Sequence, residues 1–151
     1  MQSGIGRSGE VVAAFDIGSN TTRGILARRM GADSLRVLAA DHRMTALGRG
    51  MSEGAGLDTA GMDEVVQFVS KTLGRWRHPE RVWAVATAAA RKATNGAELV
   101  ERLAEETGIS AEIISGREEA RLTWLGALSA DPEIAEGDPA GLFHFPDSLR
   151  S

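Results

Sequence analysis

Side chains suited to phosphate chemistry follow the first predicted strand. Residues 11–15 form an apolar run of strand length, and Asp16 comes directly after it. The tight turn that follows contains Gly18, Ser19 and Asn20, and Arg23 lies beyond it. A carboxylate beside hydroxyl, amide and backbone N–H donors suits a phosphate group with its divalent metal. The alternative is an ordinary hairpin turn whose aspartate is only solvated.

A second stretch with candidate chemistry runs over residues 85–95. Thr87 follows a predicted strand and begins a helical turn, so its hydroxyl and the backbone N–H groups behind it predict an anion site. Arg91 lies one turn later on the same side. The alternative is that Thr87 only caps the turn and Arg91 is solvated. Asn95 is predicted to cap the next helix, with Glu98 completing a capping box.

The third stretch begins at Ser115 and carries two adjacent carboxylates. Glu118 stands at the capping-box position of the helix that Ser115 opens, which is a sufficient structural role. Glu119 is not needed for the cap and points about 100° further round the helix. If it faces a cleft, it could orient and deprotonate a water that attacks phosphorus. Arg121 could contact a polyanion or pair with Glu118.

The elements that must position these residues follow the order β-β-β-α-β-α-β-α. The predicted strands cover residues 11–15, 21–27, 34–41, 81–86 and 111–114. The longer predicted helices cover residues 58–76 and 95–108, and another helix begins at residue 115. This order predicts an α/β fold with a mixed five-stranded sheet, strand order 3-2-1-4-5, and helices on its faces. The first strand is then central and buried on both sides. Asp16, Thr87 and Ser115 follow strands whose carboxyl ends share one edge, where such sheets bind ligands.

Helical spacing predicts the core. The first long helix places Met62, Val65, Val66, Val69, Leu73 and Trp76 on one apolar face. The last helix is predicted to bury Ala120, Trp124, Leu125 and Leu128, and Trp83 is also expected in the core. Residues 47–56 form a glycine-rich loop, either a lid near the site or a surface loop. We expect a loose segment at 1–10, a single domain at 11–130 and an irregular tail at 131–151.

Composition excludes several classes of protein. The formal net charge is -4, so no overall basic field recruits nucleic acid or a membrane surface. The chain has no cysteine, which excludes a disulfide scaffold and cysteine-bound metal. No apolar run approaches membrane-spanning length, and the first ten residues lack the apolar core of a signal peptide. A cytoplasmic protein without membrane or nucleic-acid partners is the expectation.

Three motifs occur in a fixed order along the chain. They are Asp16-Ile-Gly-Ser-Asn-x-x-Arg23, Val85-Ala-Thr-Ala-x-x-Arg-x-Ala-x-Asn95 and Ile113-Ile-Ser-Gly-x-Glu-Glu-Ala-Arg-Leu122. Together they resemble the exopolyphosphatase/guanosine pentaphosphate phosphohydrolase (Ppx/GppA) family over roughly residues 11–126. The resemblance implies the actin-like ATPase, ribonuclease-H-like fold. It also implies removal of terminal phosphate from polyphosphate, or of the 5'-phosphate from guanosine pentaphosphate, with magnesium.

The resemblance also implies roles for single residues. Asp16 would lie at the Mg²⁺ ion and the attacking water, and Glu119 would be the catalytic base. The remaining residues would bind phosphate: Gly18, Ser19, Asn20, Arg23, Thr87 and Arg91. The residues alone leave polyphosphate and guanosine pentaphosphate (pppGpp) open as substrates. A homodimer is a further expectation.

The family pattern is lost near the end of the sequence. The family continues with a second phosphate loop, Asp-x-Gly-Gly-Gly-Ser-x-Glu, and a second actin-like half, whereas residues 141–151 here contain Pro146 and no glycine triad. Because a phosphoryl-transfer site encloses phosphate on several sides, we expect weak binding and little turnover by this chain alone. The alternative to an active hydrolase is a truncated or frame-shifted, inactive phosphate-binding fragment.

Two further enzyme classes fit less well. Another ATPase of the same fold, such as a sugar kinase, is disfavoured by the pair Glu118-Glu119 after Ile-Ser-Gly. A nuclease of the ribonuclease-H type needs several cleft carboxylates to hold two metal ions. Asp16 is the one clear candidate on a central strand.

Overall fold

The computed structural model describes residues 9–31, 34–52 and 54–130, with no side-chain description for 127–130. The elements are β1 (Val11–Ile17), β2 (Thr21–Arg29), β3 (Leu35–Met44), α1 (Thr59–Arg75), β4 (Arg81–Ala86), α2 (Ala88–Lys92), α3 (Gly96–Thr107), β5 (Ala111–Ile113) and α4 (Gly116–Ala130). The chain divides into two compact units, one up to Ile113 and one from Ile114 onward. The unity of the predicted domain over 11–130 stays a prediction, and the predicted tail at 131–151 lies outside the described residues.

The first unit contains a five-stranded sheet in the order β3-β2-β1-β4-β5, which confirms the predicted order. β1 pairs antiparallel with β2 and parallel with β4. This pairing puts Asp16 directly opposite Arg23 on one side and Val85 on the other. The carboxyl ends of β1 and β4 therefore meet at one edge of the sheet, as the sequence predicted.

The core lies between the sheet and the helices α1 and α3. Phe15 on β1 packs edge-to-face on Phe68 of α1, with ring centroids 6.3 Å apart, and stacks on Trp76 at 5.8 Å. The predicted apolar face of α1 is confirmed, because Met62, Val65, Val66, Val69 and Leu73 are all buried. Trp76 is partly buried against the same core.

The opposite face of the sheet differs from its prediction. Ala14 is exposed although it lies on the central strand, and its cross-strand neighbours Ile25 and Trp83 are 45% and 47% exposed. Burial of β1 on both sides is therefore wrong at Ala14, and a core position for Trp83 is also wrong. The physical reason is that α1 and α3 both pack on the face that carries Ala13, Phe15 and Ile17. An apolar run alone does not reveal such one-sided cover.

The second unit contains α4. Ala120 and Trp124 are partly buried, whereas Leu125 is 45% exposed, so its predicted burial is wrong. Leu128 has no described side chain. None of the helices in the described part of the chain is both long and apolar enough to cross a membrane.

Glu10 joins the beginning of β1 to both neighbouring strands. Its carboxylate lies 3.0 Å from Nε of Arg81 on β4 and 3.8 Å from Nε of Arg29 on β2. The backbone N–H of Gly9 also donates to the carbonyl of Arg29, at 2.7 Å. Gly9 and Glu10 are thus held by the sheet, whereas the sequence predicted a loose segment through residue 10. Residues 1–8 lie outside the described residues.

We expect Glu10→Gln to lower the free energy of unfolding by about 1–2 kcal/mol, because the buried carboxylate balances two arginines. Arg81 is about half exposed, which keeps the loss below that of a fully buried pair. Urea unfolding followed by circular dichroism measures the change. Glu64→Gln is the matched control, because Glu64 pairs with Arg43 at 3.4 Å with both side chains well exposed. Equal losses in the two variants would contradict a special role for Glu10.

Candidate phosphate-binding site

A row of polar residues crosses the sheet at the end of β1. In the register of the sheet, Asp16 on β1 lies opposite Arg23 on β2, and Arg23 lies opposite His42 on β3. All three side chains are exposed on the face that α1 and α3 leave open. Cross-strand neighbours have Cβ atoms about 5 Å apart, so an aspartate and an arginine here form one mixed-charge surface. The structure thus brings together the predicted metal residue and one predicted phosphate residue.

In the hairpin turn after β1, one backbone N–H group is hydrogen-bonded within the turn and two others are not. The N–H of Gly18 donates to the carbonyl of Thr21, at 3.1 Å, and closes the turn. A Cβ at Gly18 would lie 2.9 Å from that carbonyl oxygen, so the turn requires glycine there. Among the described residues, the backbone N–H groups of Ser19 and Asn20 find no acceptor. Consecutive N–H groups of this kind are the donors that form an anion-binding concavity.

The carbonyl groups of the same turn are held by the segment after β3. The carbonyl of Asn20 accepts from the N–H groups of Thr45 and Ala46, at 2.9 and 3.0 Å, and that of Ser19 accepts from Gly48, at 2.8 Å. Ala46 has a left-handed backbone, with φ of 50°, which is uncommon for a residue other than glycine. Its strain is compensated by the two bonds to Asn20. The sequence did not single out this segment as part of the site.

Two buried threonines also join the β2 strand to the segment that follows β3. The hydroxyls of Thr22 on β2 and Thr45 lie 3.0 Å apart, and both residues are fully or almost fully buried. On the outer side, a Cβ at Gly61 of α1 would lie 3.0 Å from Cα of Leu47. The turn is therefore positioned by packed neighbours on several sides, which is the rigidity that a binding loop needs.

Thr87 joins α2 to the end of β1. Its N–H donates to the carbonyl of Ile17 at 3.1 Å, and its hydroxyl donates to the same oxygen at 3.4 Å. The side chain is buried and forms no cap of α2, so the alternative that it only caps the helical turn is wrong. Arg91 is exposed on α2, and its N–H donates to the carbonyl of Thr87. The binding of phosphate by Thr87 and Arg91 stays a prediction.

A pocket of about 640 Å³ lies between the hairpin turn, α2 and the glycine-rich loop. Ser19 lines it from the turn, Gly48 and Met51 line it from the loop, and Ala89 and Lys92 line it from α2. The loop of residues 47–56 is thus a wall of this pocket as well as surface. Sequence reasoning missed Lys92, although its i, i+4 spacing from Ala88 would have placed both residues on one side of the helix.

Asn95 has a different role from the predicted one. Its side chain forms no cap of α3. Instead its Oδ1 accepts from the N–H of Leu57 at 2.6 Å, and its Nδ2 donates to the carbonyl of Leu57 at 3.4 Å. The N–H of Thr94 donates to the carbonyl of Ala55 beside it. The far end of the glycine-rich loop is therefore fastened to the junction of α2 and α3.

We expect Asn95→Ala to lower the free energy of unfolding by about 1–2 kcal/mol, since both polar backbone groups of Leu57 lose a partner. Asn95→Asp keeps the acceptor and loses the donor, so its effect should be smaller. Urea unfolding and amide hydrogen exchange at Leu57 are the measurements. Unchanged exchange at Leu57 in the alanine variant would show that the loop is held by other contacts.

In the second unit, Ser115 and Glu118 have the structural roles that the sequence allowed. Oγ of Ser115 accepts from the N–H of Glu118 at 3.1 Å, which confirms the N-cap. Arg121 donates to both carboxylate oxygens of Glu118, at 2.7 and 2.8 Å. This pair lowers the pKa of Glu118 below its ordinary value and raises that of Arg121. The carboxylate of Glu118 is thus paired with Arg121 at the surface of α4. The role of Glu119 as catalytic base stays a prediction.

Asp16 is the residue of the first unit whose chemistry was predicted to hold a divalent ion, and that role stays a prediction. No group of three or more histidine or acidic residues that could hold a metal occurs among the described residues. Mg²⁺ commonly binds through one or two carboxylates together with waters and substrate phosphates. The exposed carboxylate of Asp16 beside the turn matches that mode of binding.

The comparisons with known proteins agree with this arrangement. The Ppx/GppA phosphatase family model matches residues 25–137. The solved PPX-GPPA enzyme of Aquifex aeolicus is 34% identical, with a TM-score of 0.65, over 73% of this chain and 37% of its own. Another structure of an Aquifex aeolicus family member is 32% identical, with a TM-score of 0.69, over 80% of this chain and 40% of its own.

An exopolyphosphatase from Cytophaga hutchinsonii shares the fold at 23% identity and a TM-score of 0.67, over 75% of this chain and 36% of its own. The chain spans less than half the length of each of these solved structures. The predicted actin-like ATPase fold, with its mixed sheet in the order 3-2-1-4-5, is confirmed. The chain therefore belongs to the Ppx/GppA phosphatase family.

Proposed function

We propose that this chain carries the phosphate-binding half of a phosphoanhydride hydrolase. The reaction removes the terminal phosphate from polyphosphate or the 5'-phosphate from guanosine pentaphosphate. The observation that carries the proposal is the hairpin turn after β1, where the N–H groups of Ser19 and Asn20 lack acceptors in the described chain. Phosphoryl transfer uses a combination of hydrogen-bond donors, a carboxylate and an arginine, and this hairpin contains all of them.

In the proposed mechanism each residue has one task. The turn and Arg23 hold the oxygens of the phosphate that is transferred, and Arg91 contributes a second cation. Asp16 would hold Mg²⁺, which when bound neutralises charge on the phosphate oxygens. Glu119 takes a proton from the attacking water as general base. The rigid support of the turn by Thr45 and Ala46 keeps these donors in place without reorganisation.

A second candidate function is phosphate binding without turnover. The same turn, with the N–H groups of Ser19 and Asn20, would serve such binding without an attacking water. A homodimer stays a prediction. The cytoplasmic location stays a prediction.

Phosphate release from long-chain polyphosphate and from guanosine pentaphosphate, with magnesium and with chelator, tests the proposal. We expect release that needs magnesium and falls at least about 100-fold in Asp16→Asn, because the metal loses its protein carboxylate. Asp58→Asn is the matched control, since Asp58 precedes α1 and its side chain forms no cap bond. No release from the folded wild type, with retained phosphate binding, would favour the second candidate. Release that persists in Asp16→Asn would contradict the assignment of Asp16.

A further inference from the structure

Basic residues gather on the flank of the sheet formed by β2, β3 and α1. The β3–α1 flank consists of Arg28, Arg36, Arg43, Lys71 and Arg75. Asp41 and Glu64 are the acidic residues that pair with it. The flank is thus cationic in a chain whose formal net charge is -4. A local excess of this kind attracts anions even when the whole molecule repels them.

Two arginines of the flank face each other across the sheet. Arg28 on β2 is directly opposite Arg36 on β3, and both are exposed. The guanidinium groups of both residues have no hydrogen-bond or ion-pair partner among the described residues. Like charges directly opposite each other destabilise a sheet. An anion bound between the two guanidinium groups would remove that repulsion.

At the Arg43 end of the flank, a pocket of about 670 Å³ is lined by the cations Arg43, Lys71 and Arg75 and by one acidic residue, Asp41. Arg75 is held by Asp41 and by the buried Thr72, whose Oγ1 lies 3.2 Å from its Nη2. Arg43 lies over the ring of Phe68, with Cζ 6.0 Å from the centroid, and its Nη1 lies 3.4 Å from Glu64.

Each of these guanidinium groups uses only part of its five N–H donors. The ammonium group of Lys71 has no partner in the described part of the chain. The pocket therefore presents two fixed cations and one adaptable cation to solvent.

The flank is elongated: Arg43 lies near the hairpin turn, and Arg36 lies at the far end of β3. Arg36 and Arg43 lie on the same face of β3, and that separation along a strand spans roughly 20 Å. The register places them on the face that carries Phe15 and α1, whereas Asp16 and Arg23 lie on the opposite face. A long, flexible anion could therefore contact both Arg36 and the hairpin turn, but a single phosphate could not.

We propose that the β3–α1 flank binds the distal part of a linear polyphosphate chain. The choice of this ligand rests on the proposed function. Nucleic acid is the less suitable polyanion, because single-strand binding sites stack bases on exposed aromatic rings. The aromatic ring of this pocket belongs to Phe68, which is 3% exposed and lies beneath Arg43. Phosphate groups need only the cations.

The test is calorimetric titration with long-chain polyphosphate in chelator, so that no turnover occurs. We expect Arg36→Gln/Lys71→Gln to weaken binding about 5-fold to 30-fold, as the loss of two exposed ionic contacts implies. The matched control is Arg36→Lys/Lys71→Arg, which keeps both charges and should bind within about twofold of wild type. Tripolyphosphate, which is too short to reach Arg36 from the turn, should be hydrolysed equally by all three proteins when magnesium is present.

Four outcomes decide the matter. Weaker binding in the glutamine variant, with the charge-conserving variant unaffected, supports polyphosphate binding by the flank. If no protein releases phosphate, that support still holds, and only the proposed function has failed. Wild-type affinity in the glutamine variant overturns the proposal. So does an equal loss in the charge-conserving variant, because charge would then not be the cause. Tighter binding of a single-stranded oligonucleotide of equal charge would assign the flank to nucleic acid instead.

Discussion

Replacing Glu119 by glutamine is expected to lower phosphate release from polyphosphate by about 100-fold to 10,000-fold, which is the usual contribution of a general base. Glutamine has nearly the same size as glutamate but accepts no proton at neutral pH. Binding of polyphosphate should change little, because glutamine adds no charge and removes no cation. Steady-state phosphate release, set beside calorimetric binding, separates the two effects.

Glu118→Gln is the matched control for this prediction. Glu118 is adjacent in sequence and pairs with Arg121 at the surface of α4, so its loss should leave the rate within about twofold. A large loss in Glu118→Gln with normal activity in Glu119→Gln would reverse the two roles. Half or more of the wild-type rate in Glu119→Gln would contradict its assignment as the base.

The largest expected effect on stability is at Gly96, the first residue of α3. A Cβ there would lie 2.2 Å from the carbonyl oxygen of Ala90 and 3.2 Å from Cδ1 of Ile113. Alanine therefore forces α2 and α3 apart, at a cost of about 3 kcal/mol in the free energy of unfolding. Because α2 carries Arg91 and Lys92, phosphate binding should weaken as well. Urea unfolding and phosphate titration measure both effects.

Gly74→Ala is the control for a glycine in open space. Gly74 lies near the end of α1, and a Cβ there meets nothing within 4 Å. We expect a gain of about 0.5–1 kcal/mol, because alanine favours the helix more than glycine does. A Gly96→Ala protein as stable as wild type would show that the junction of α2 and α3 can relax.

Local sequence signals predicted several features of the site correctly. Gly18 and its neighbours predicted the tight turn after β1, and the structure places that turn there. Ser115 predicted the cap of α4, and Gly108 ends α3 with a left-handed φ of 74°. The order of strands and helices was sufficient for the sheet order, because right-handed crossovers leave few alternatives. These features depend on residues close together in the sequence or on general rules of connection.

The features that the sequence did not predict depend on contacts between distant residues. The hydroxyl of Thr87 donates to a carbonyl 70 positions away, and Asn95 bonds a backbone 38 positions away instead of capping its own helix. Likewise, Trp83 is exposed because both long helices of the first unit pack on the other face of the sheet.

The amino-acid sequence by itself therefore determined the family, the strand order and the residues that could do chemistry. Only the tertiary structure decided which of those side chains are structural, since a donor's partner is set by the chain that packs against it.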